Sequence, residues 1–197
     1  RRNLAAIAQL AIPHISVYML DLEGAARLLS KVLEGSVTLP DEDCICDLYT
    51  ESLQFLSSRG YAQYEISNFA QPGYFCRHNL KYWKRDPVLG FGAGSHSFNG
   101  QCRYANSGNI EEYCRLVEEG ASPLVWRESI TATQALQESL FLGLRLTEGV
   151  DWNCLQAMNY GEILKPYENS LEELCSKGLM ERKGSHFRLT IHGMLLS

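Results

Sequence analysis

The sequence predicts an α/β fold with parallel strands, continued by a mainly helical, winged-helix-like C-terminal module. Helical and strand periodicities alternate through the first part of the chain, with connections long enough for crossovers, and the last part turns to amphipathic helices followed by a hairpin pattern. A length of 197 residues, 45% of them hydrophobic and 21% charged, buries a real core but holds too few strand–helix units for a complete α/β barrel.

Leu4, Ile7, Ala8 and Ala11 recur at helical spacing, and Pro13 stops that helix. Residues 12–20 follow as a strand rich in β-branched and aromatic side chains. Both of its alternating sets are apolar, Ile15, Val17 and Met19 on one and Tyr18 and Leu20 on the other, as in a strand covered on two faces. Residues 24–35 read as a short linking helix or loop. Pro40-Asp41-Glu42-Asp43 then starts a helix with carboxylates where its dipole favours them. Its apolar stripe is Ile45, Leu48, Tyr49, Leu53 and Leu56, and Gly60 ends it. Residues 61–69 are the next predicted strand.

Residues 71–125 change character and read as a long irregular segment, rich in glycine and aromatics, of the kind that usually forms functional loops. From Trp126 the pattern is helical. Residues 131–146 form one amphipathic helix with Ala135, Leu136, Ser139, Leu140 and Gly143 on its packed face. Ser170-x-x-Glu173 has the form of a capping box opening a short helix that Gly178 closes. Residues 179–181 and 187–190 flank the turn Lys183-Gly184-Ser185 as a hairpin, before a closing helix capped by Thr190.

Charge excludes one large class of functions. The 18 basic and 23 acidic residues leave a net charge of −5, and from Trp126 onward 7 basic face 9 acidic residues, so phosphate is repelled and nucleic acid is not the expected partner. No apolar run has the length of a membrane span, and nothing at the N-terminus reads as a signal peptide. The seven cysteines lack a C-x-x-C spacing and fit reduced thiols. Cys44 and Cys46 would point about 200° apart on a helix, against a shared metal.

The stretch carrying most chemistry is residues 61–70 followed by Cys76-Arg77-His78-Asn79-Leu80-Lys81-Tyr82-Trp83, which reads as too polar for core and too aromatic for a linker. Imidazole can ligate iron, and Tyr and Trp offer stacking faces with polar edges, so the cluster suits a flat, partly apolar ligand. The alternative is a packed histidine beside a tryptophan. Gly90-Phe91-Gly92-Ala93-Gly94 lacks the following helix of a dinucleotide fold and the Gly-Lys of a phosphate loop; it reads as close backbone approach to a strand or ligand. His14 reads as a structural histidine. Asp21 and Glu23 lie just past the end of the first strand, the end where α/β barrels place ligands.

His14-Ile15-Ser16-Val17-Tyr18, Leu39-Pro40-Asp41-Glu42-Asp43, Tyr64-Glu65-Ile66-Ser67-Asn68-Phe69-Ala70, His78-Asn79-x-x-Tyr82-Trp83 and the stretch from Leu89 to Ser97 occur in this order. Continued through Phe141-Leu142-Gly143-Leu144-Arg145, they resemble the HemW-type radical-SAM haem chaperones, relatives of the HemN-type oxygen-independent coproporphyrinogen III oxidases. The resemblance covers essentially the whole chain. It implies the second half of a partial (β/α) radical-SAM barrel over residues 1–70, a Gly- and aromatic-rich segment with the H-N-x-x-Y-W string over 71–125, and a HemN-like C-terminal domain over 126–197.

The H-N-x-x-Y-W string resembles the chaperone branch, which implies that His78 contacts haem as a candidate iron ligand while Asn79, Tyr82 and Trp83 shape its surroundings. More weakly, Asp21 and His96 fall near the S-adenosylmethionine position. The C-x-x-x-C-x-x-C that holds a [4Fe-4S] cluster in the family is absent from this sequence. No catalytic residue is therefore assigned, and the chain alone is expected to be inactive. The resemblance further implies haem acceptors such as respiratory cytochromes as partners, and a cytoplasmic location, mitochondrial in a eukaryote. It leaves room for a homodimer and for peripheral membrane contact. The alternative function is porphyrinogen decarboxylation of the oxidase type.

Overall fold

A computed structural model describes residues 2–20, 22, 27–158 and 160–197, and the chain divides into two compact units, Arg1–Phe75 with Ile191–Ser197, and Cys76–Thr190. Helices and small sheets are mixed in both. Asp21 and Glu23, read above as ligand-end carboxylates, lie outside the described residues.

In the first unit, α1 (Arg2–Gln9) precedes β1 (His14–Ser16), followed by α2 (Arg27–Leu33), α3 (Glu42–Ser57), β2 (Ala62–Glu65) and β3 (Asn68–Ala70). The Asp41 carboxylate caps α3 by accepting from the Cys44 N–H at 2.8 Å, with Glu42 and Asp43 in the first turn. Gly60 follows the helix at φ +82°. The sheet order is β1-β3-β2 and both pairings are antiparallel, which corrects the expected parallel sheet. β1 and β2 do run in the same direction with α3 between them, as a crossover requires. What intervenes is a return strand: the segment expected as one strand over residues 61–69 folds back at Ile66-Ser67.

The cause of that turn is a buried carboxylate. Glu65 is fully buried and accepts from the Ser67 N–H at 2.9 Å and from the Asn68 side-chain amide. A buried carboxyl group must be held by such partners. The same turn shortens β1. Ser16 pairs with Asn68, and the Val17 N–H still donates to Ser67 O at 2.7 Å, but beyond that β3 offers no partner, so the strand expected to Leu20 ends at Ser16. Ile15, Leu56, Tyr61 and Phe69 form this unit's core, with Ile7, Val17, Leu53 and Phe55 packed against it. The C-terminal helix Ile191–Leu195 joins it: the Tyr49 hydroxyl donates to Ile66 O at 2.9 Å and lies 3.6 Å from Met194 Sδ. β1 is a sheet edge, and Tyr18 and Leu20 after it are exposed, as are Leu39 and Leu48 beside them.

The second unit begins with α4 (Arg77–Trp83), then β4 (His96–Phe98), β5 (Cys102–Asn106), α5 (Ile110–Glu118) and β6 (Leu124–Ser129). The segment expected to be irregular thus carries helices and an antiparallel β4-β5-β6 meander. One glycine of the cluster Gly90-Phe91-Gly92-Ala93-Gly94 lets backbone meet backbone: a Cβ on Gly90 would stand 2.3 Å from His96 O, as the strand half of the reading given to that cluster expects.

The chain continues through α6 (Ala132–Gly143), β7 (Val150–Asp151), α7 (Trp152–Ala157), a 3-10 turn (Gly161–Ile163), α8 (Lys165–Ser176), β8 (Met180–Lys183) and β9 (His186–Leu189). Thr131 caps α6 in a reciprocal box with Gln134, and Leu136, Leu140 and Gly143 of the expected face are buried. The Ser170–Glu173 box does not exist. α8 starts earlier, with Pro166 in its first turn where a missing N–H costs nothing, so Ser170 is interior and donates to Pro166 O while Glu173 pairs with Lys177. The Thr190 hydroxyl, ahead of the last helix, also bonds Gly178 O and Leu179 O. The β8–β9 hairpin forms as expected and β7 completes the sheet order β7-β9-β8. Trp152 and Phe187 meet edge to face at 5.6 Å in a core that includes Leu136, Leu155, Leu171 and Met180.

Candidate functional site

The helix α4 divides the H-N-x-x-Y-W string by its own geometry. Residues four apart share a face, so His78 and Tyr82 form one pair and Asn79 and Trp83 the other. His78 and Tyr82 are exposed, and their rings meet edge to face with centroids 5.0 Å apart. Asn79 and Trp83 are half-buried, and the Arg145 guanidinium lies 4.6 Å over the Trp83 ring. His78 and Tyr82 are thus presented, whereas Trp83 anchors α4.

The end of α4 is fixed by an unusual cap. The Asp86 N–H donates to Lys81 O at 2.8 Å and the Arg85 N–H to Tyr82 O at 3.1 Å, the paired bonds of a Schellman motif. Its left-handed position, usually a glycine, is Arg85 at φ +56°. A non-glycine residue there costs roughly 1–2 kcal/mol. The side chain offsets this cost: Arg85 Nε donates to Glu138 on α6 at 2.7 Å, and Arg103 of β5 reaches the other oxygen of that carboxylate, also at 2.7 Å. Arg85 Nη2 is buried with no hydrogen-bond partner.

Partial burial pushes the Glu138 carboxyl up, but hydrogen bonds and charge from Arg85 and Arg103 outweigh this and hold it below the ordinary value of 4.5. A depressed acid stabilises the fold above its unfolded pKa and loses that contribution as pH falls through the folded one. Stability should therefore fall below about pH 4.5 with a component that Glu138→Gln removes. At neutral pH that variant leaves two guanidinium groups without their carboxylate and should cost about 3 kcal/mol in urea unfolding. A cost under ~0.5 kcal/mol would show that the triad does not hold α4 in place.

Tyr82 also borders a cavity of about 150 Å³ shared with Arg85, Asp86, His96, Phe98 and Arg103. The structure thus brings together Tyr82 and His96, two of the residues singled out in the sequence, while His96 stands exposed with its ring 6.2 Å from that of Trp126. The cavity is smaller than the ~300–1,000 Å³ of a typical ligand pocket. A macrocycle would have to lie on the surface. His14, read as structural, bonds the Tyr64 hydroxyl through Nε2 at 2.8 Å. Sequence reasoning missed Arg85, Arg103 and Glu138. The one signal available was the run Arg77, Lys81, Lys84, Arg85, with no acidic residue between Glu65 and Asp86 in an acidic chain.

No helix among the described residues is long and apolar enough to cross a membrane, and no three of their His, Cys, Asp or Glu side chains are grouped to hold a metal ion. The seven cysteines are free.

Comparison with known proteins adds one family, three relatives and one solved structure. The HemN C-terminal domain family matches residues 130–196. The heme chaperone HemW of Bacillus subtilis is 35% identical over 184 residues, covering 93% of this chain and 48% of that protein. That of Lactococcus lactis is 30% identical over 95% of this chain and 49% of its own length. The chain spans about half the length of the curated relatives it matches. Radical S-adenosyl methionine domain-containing protein 1, mitochondrial, of Danio rerio is 26% identical over 95% of the chain. Among solved structures, coproporphyrinogen III oxidase (HemN) from Escherichia coli, a radical SAM enzyme, aligns with a TM-score of 0.68 and 20% identity over 98% of this chain and 48% of its own, a likeness of fold.

Proposed function

Because the chain is a relative of the HemW-type haem chaperones over nearly its whole length and ends in a HemN C-terminal domain, we propose that it carries the haem-presenting surface of such a chaperone. The observation that carries the reading is the exposed His78 imidazole, backed by the Tyr82 ring on a helix whose flanks are cationic. An exposed imidazole can take an axial position on haem iron, and its ligand can leave again, as delivery requires. Tyr82 offers an aromatic edge to the macrocycle, Asn79 a polar group, and Trp83 acts by holding the helix. Haem would pass from here to acceptor haemoproteins such as respiratory cytochromes, in a cytoplasmic or mitochondrial compartment.

The [4Fe-4S] cluster and S-adenosylmethionine belong, on this reading, to the other half of the relatives' length. This chain has no C-x-x-x-C-x-x-C string, and among the described residues no group of His, Cys, Asp or Glu side chains fits a cluster. Iron–sulfur reconstitution should yield neither stoichiometric cluster nor 5′-deoxyadenosine; finding both would contradict that assignment. The β1 edge and the exposed Tyr18 and Leu20 are where the rest of a barrel would continue. The α6-to-β9 region would serve as a winged-helix-like cover or partner surface, with no nucleic acid involved. Function is tested by loading the protein with haem, adding an apocytochrome and following the acceptor's spectrum. Growth of the acceptor's haem bands supports delivery. Decarboxylation of coproporphyrinogen III by the cluster-bearing protein, without transfer, would favour the oxidase.

A further inference from the structure

We propose that the cavity beside Tyr82 receives a propionate carboxylate of the bound tetrapyrrole, with Arg103 and Arg85 as its cationic partners; this rests on the haem reading of His78. Two guanidinium groups offer ten N–H donors, and Glu138, the carboxylate between them, takes one from Arg85 Nε and one from Arg103 Nη2. Arg85 Nη2 is left buried without an acceptor, in a residue that lines the cavity and holds a left-handed backbone to be there. Arg103 is 38% exposed, within reach of a ligand arriving from solvent.

Size agrees. The cavity, about 150 Å³, holds roughly five water volumes, room for a carboxylate on its methylene stem and far too little for a macrocycle. The ring would stay outside, against His78 and Tyr82, and extend one substituent inward. The charged groups that line it are Arg85 and Arg103 against the carboxylate of Asp86, with Glu138 bonded to both guanidinium groups and Glu128 opposite Arg103 in the sheet.

The test compares hemin with hemin dimethyl ester, whose propionates are uncharged, in one detergent buffer, following the Soret band. Unmodified protein should bind the ester roughly tenfold more weakly than hemin. Arg103→Gln should lower hemin affinity about tenfold, leave the ester unchanged and keep the Soret position, while Arg103→Lys recovers part of the preference. Equal affinity for hemin and ester in the unmodified protein overturns the carboxylate site, whether or not any variant folds. So does an Arg103→Gln effect shared by the ester, or a preference for hemin that S-adenosylmethionine abolishes by taking the cavity with its own carboxylate. Failure of the underlying haem reading looks different: His78→Ala would then bind hemin with an unchanged spectrum.

Discussion

Gly149→Ala should destabilise the second unit by more than about 4 kcal/mol. Gly149 sits at φ +76° immediately before β7, and a Cβ there would lie 2.1 Å from Phe187 O and 2.6 Å from Arg188 Cβ. β7 pairs with β9 exactly where Phe187 stands, and Phe187 is fully buried against Trp152, so neither neighbour can withdraw without opening the core. Gly184→Ala is the control. It has the same sign of φ, +62°, in the β8–β9 turn, but nothing lies within 4 Å of its Cβ. It should therefore cost only the left-handed penalty of about 1–2 kcal/mol. Urea unfolding monitored by near-ultraviolet circular dichroism separates the two; equal midpoints would mean that β7 is not locked against β9.

Within the H-N-x-x-Y-W string, the expected outcomes split by helix face. His78→Ala should remove axial ligation of haem and leave stability within about 0.5 kcal/mol, because the side chain is exposed and its ring meets the exposed Tyr82. Trp83→Ala should do the reverse, losing about 2–3 kcal/mol of stability as the Arg145 contact and the half-buried ring go, while haem bound to the folded fraction keeps its spectrum. Absorption spectra and urea midpoints of both variants check this. A Trp83→Ala protein that is fully stable yet has lost the haem spectrum would make the tryptophan a haem contact.

The elements legible in the sequence are those whose signals are local. Asp41 before an acidic turn and Gly184 between strand-like residues act within a few positions, one by capping a helix and the other by allowing a left-handed turn, and both mark the boundaries observed. The return at Ile66-Ser67 was not legible, because no glycine, proline or asparagine–glycine pair makes it; the buried Glu65 carboxylate does, and a carboxylate in a strand pattern has no positional signature. Ser170 and Glu173 had the right spacing in the wrong place, since Pro166 had already begun the helix. Of the site, the residue types His78, Tyr82 and Trp83 were visible, but their division into presented and anchoring faces depends on knowing that residues 77–83 are helical. Arg85 and Glu138 are 53 residues apart, and only the fold brings them together.

The central claim, that His78 presents haem, is tested most directly by titrating hemin into the unmodified protein and into His78→Ala and following the Soret band. A saturable one-to-one shift in the unmodified protein that the variant lacks is the predicted result. An identical saturable shift in both would contradict it, because haem would then be held without the imidazole that α4 exposes.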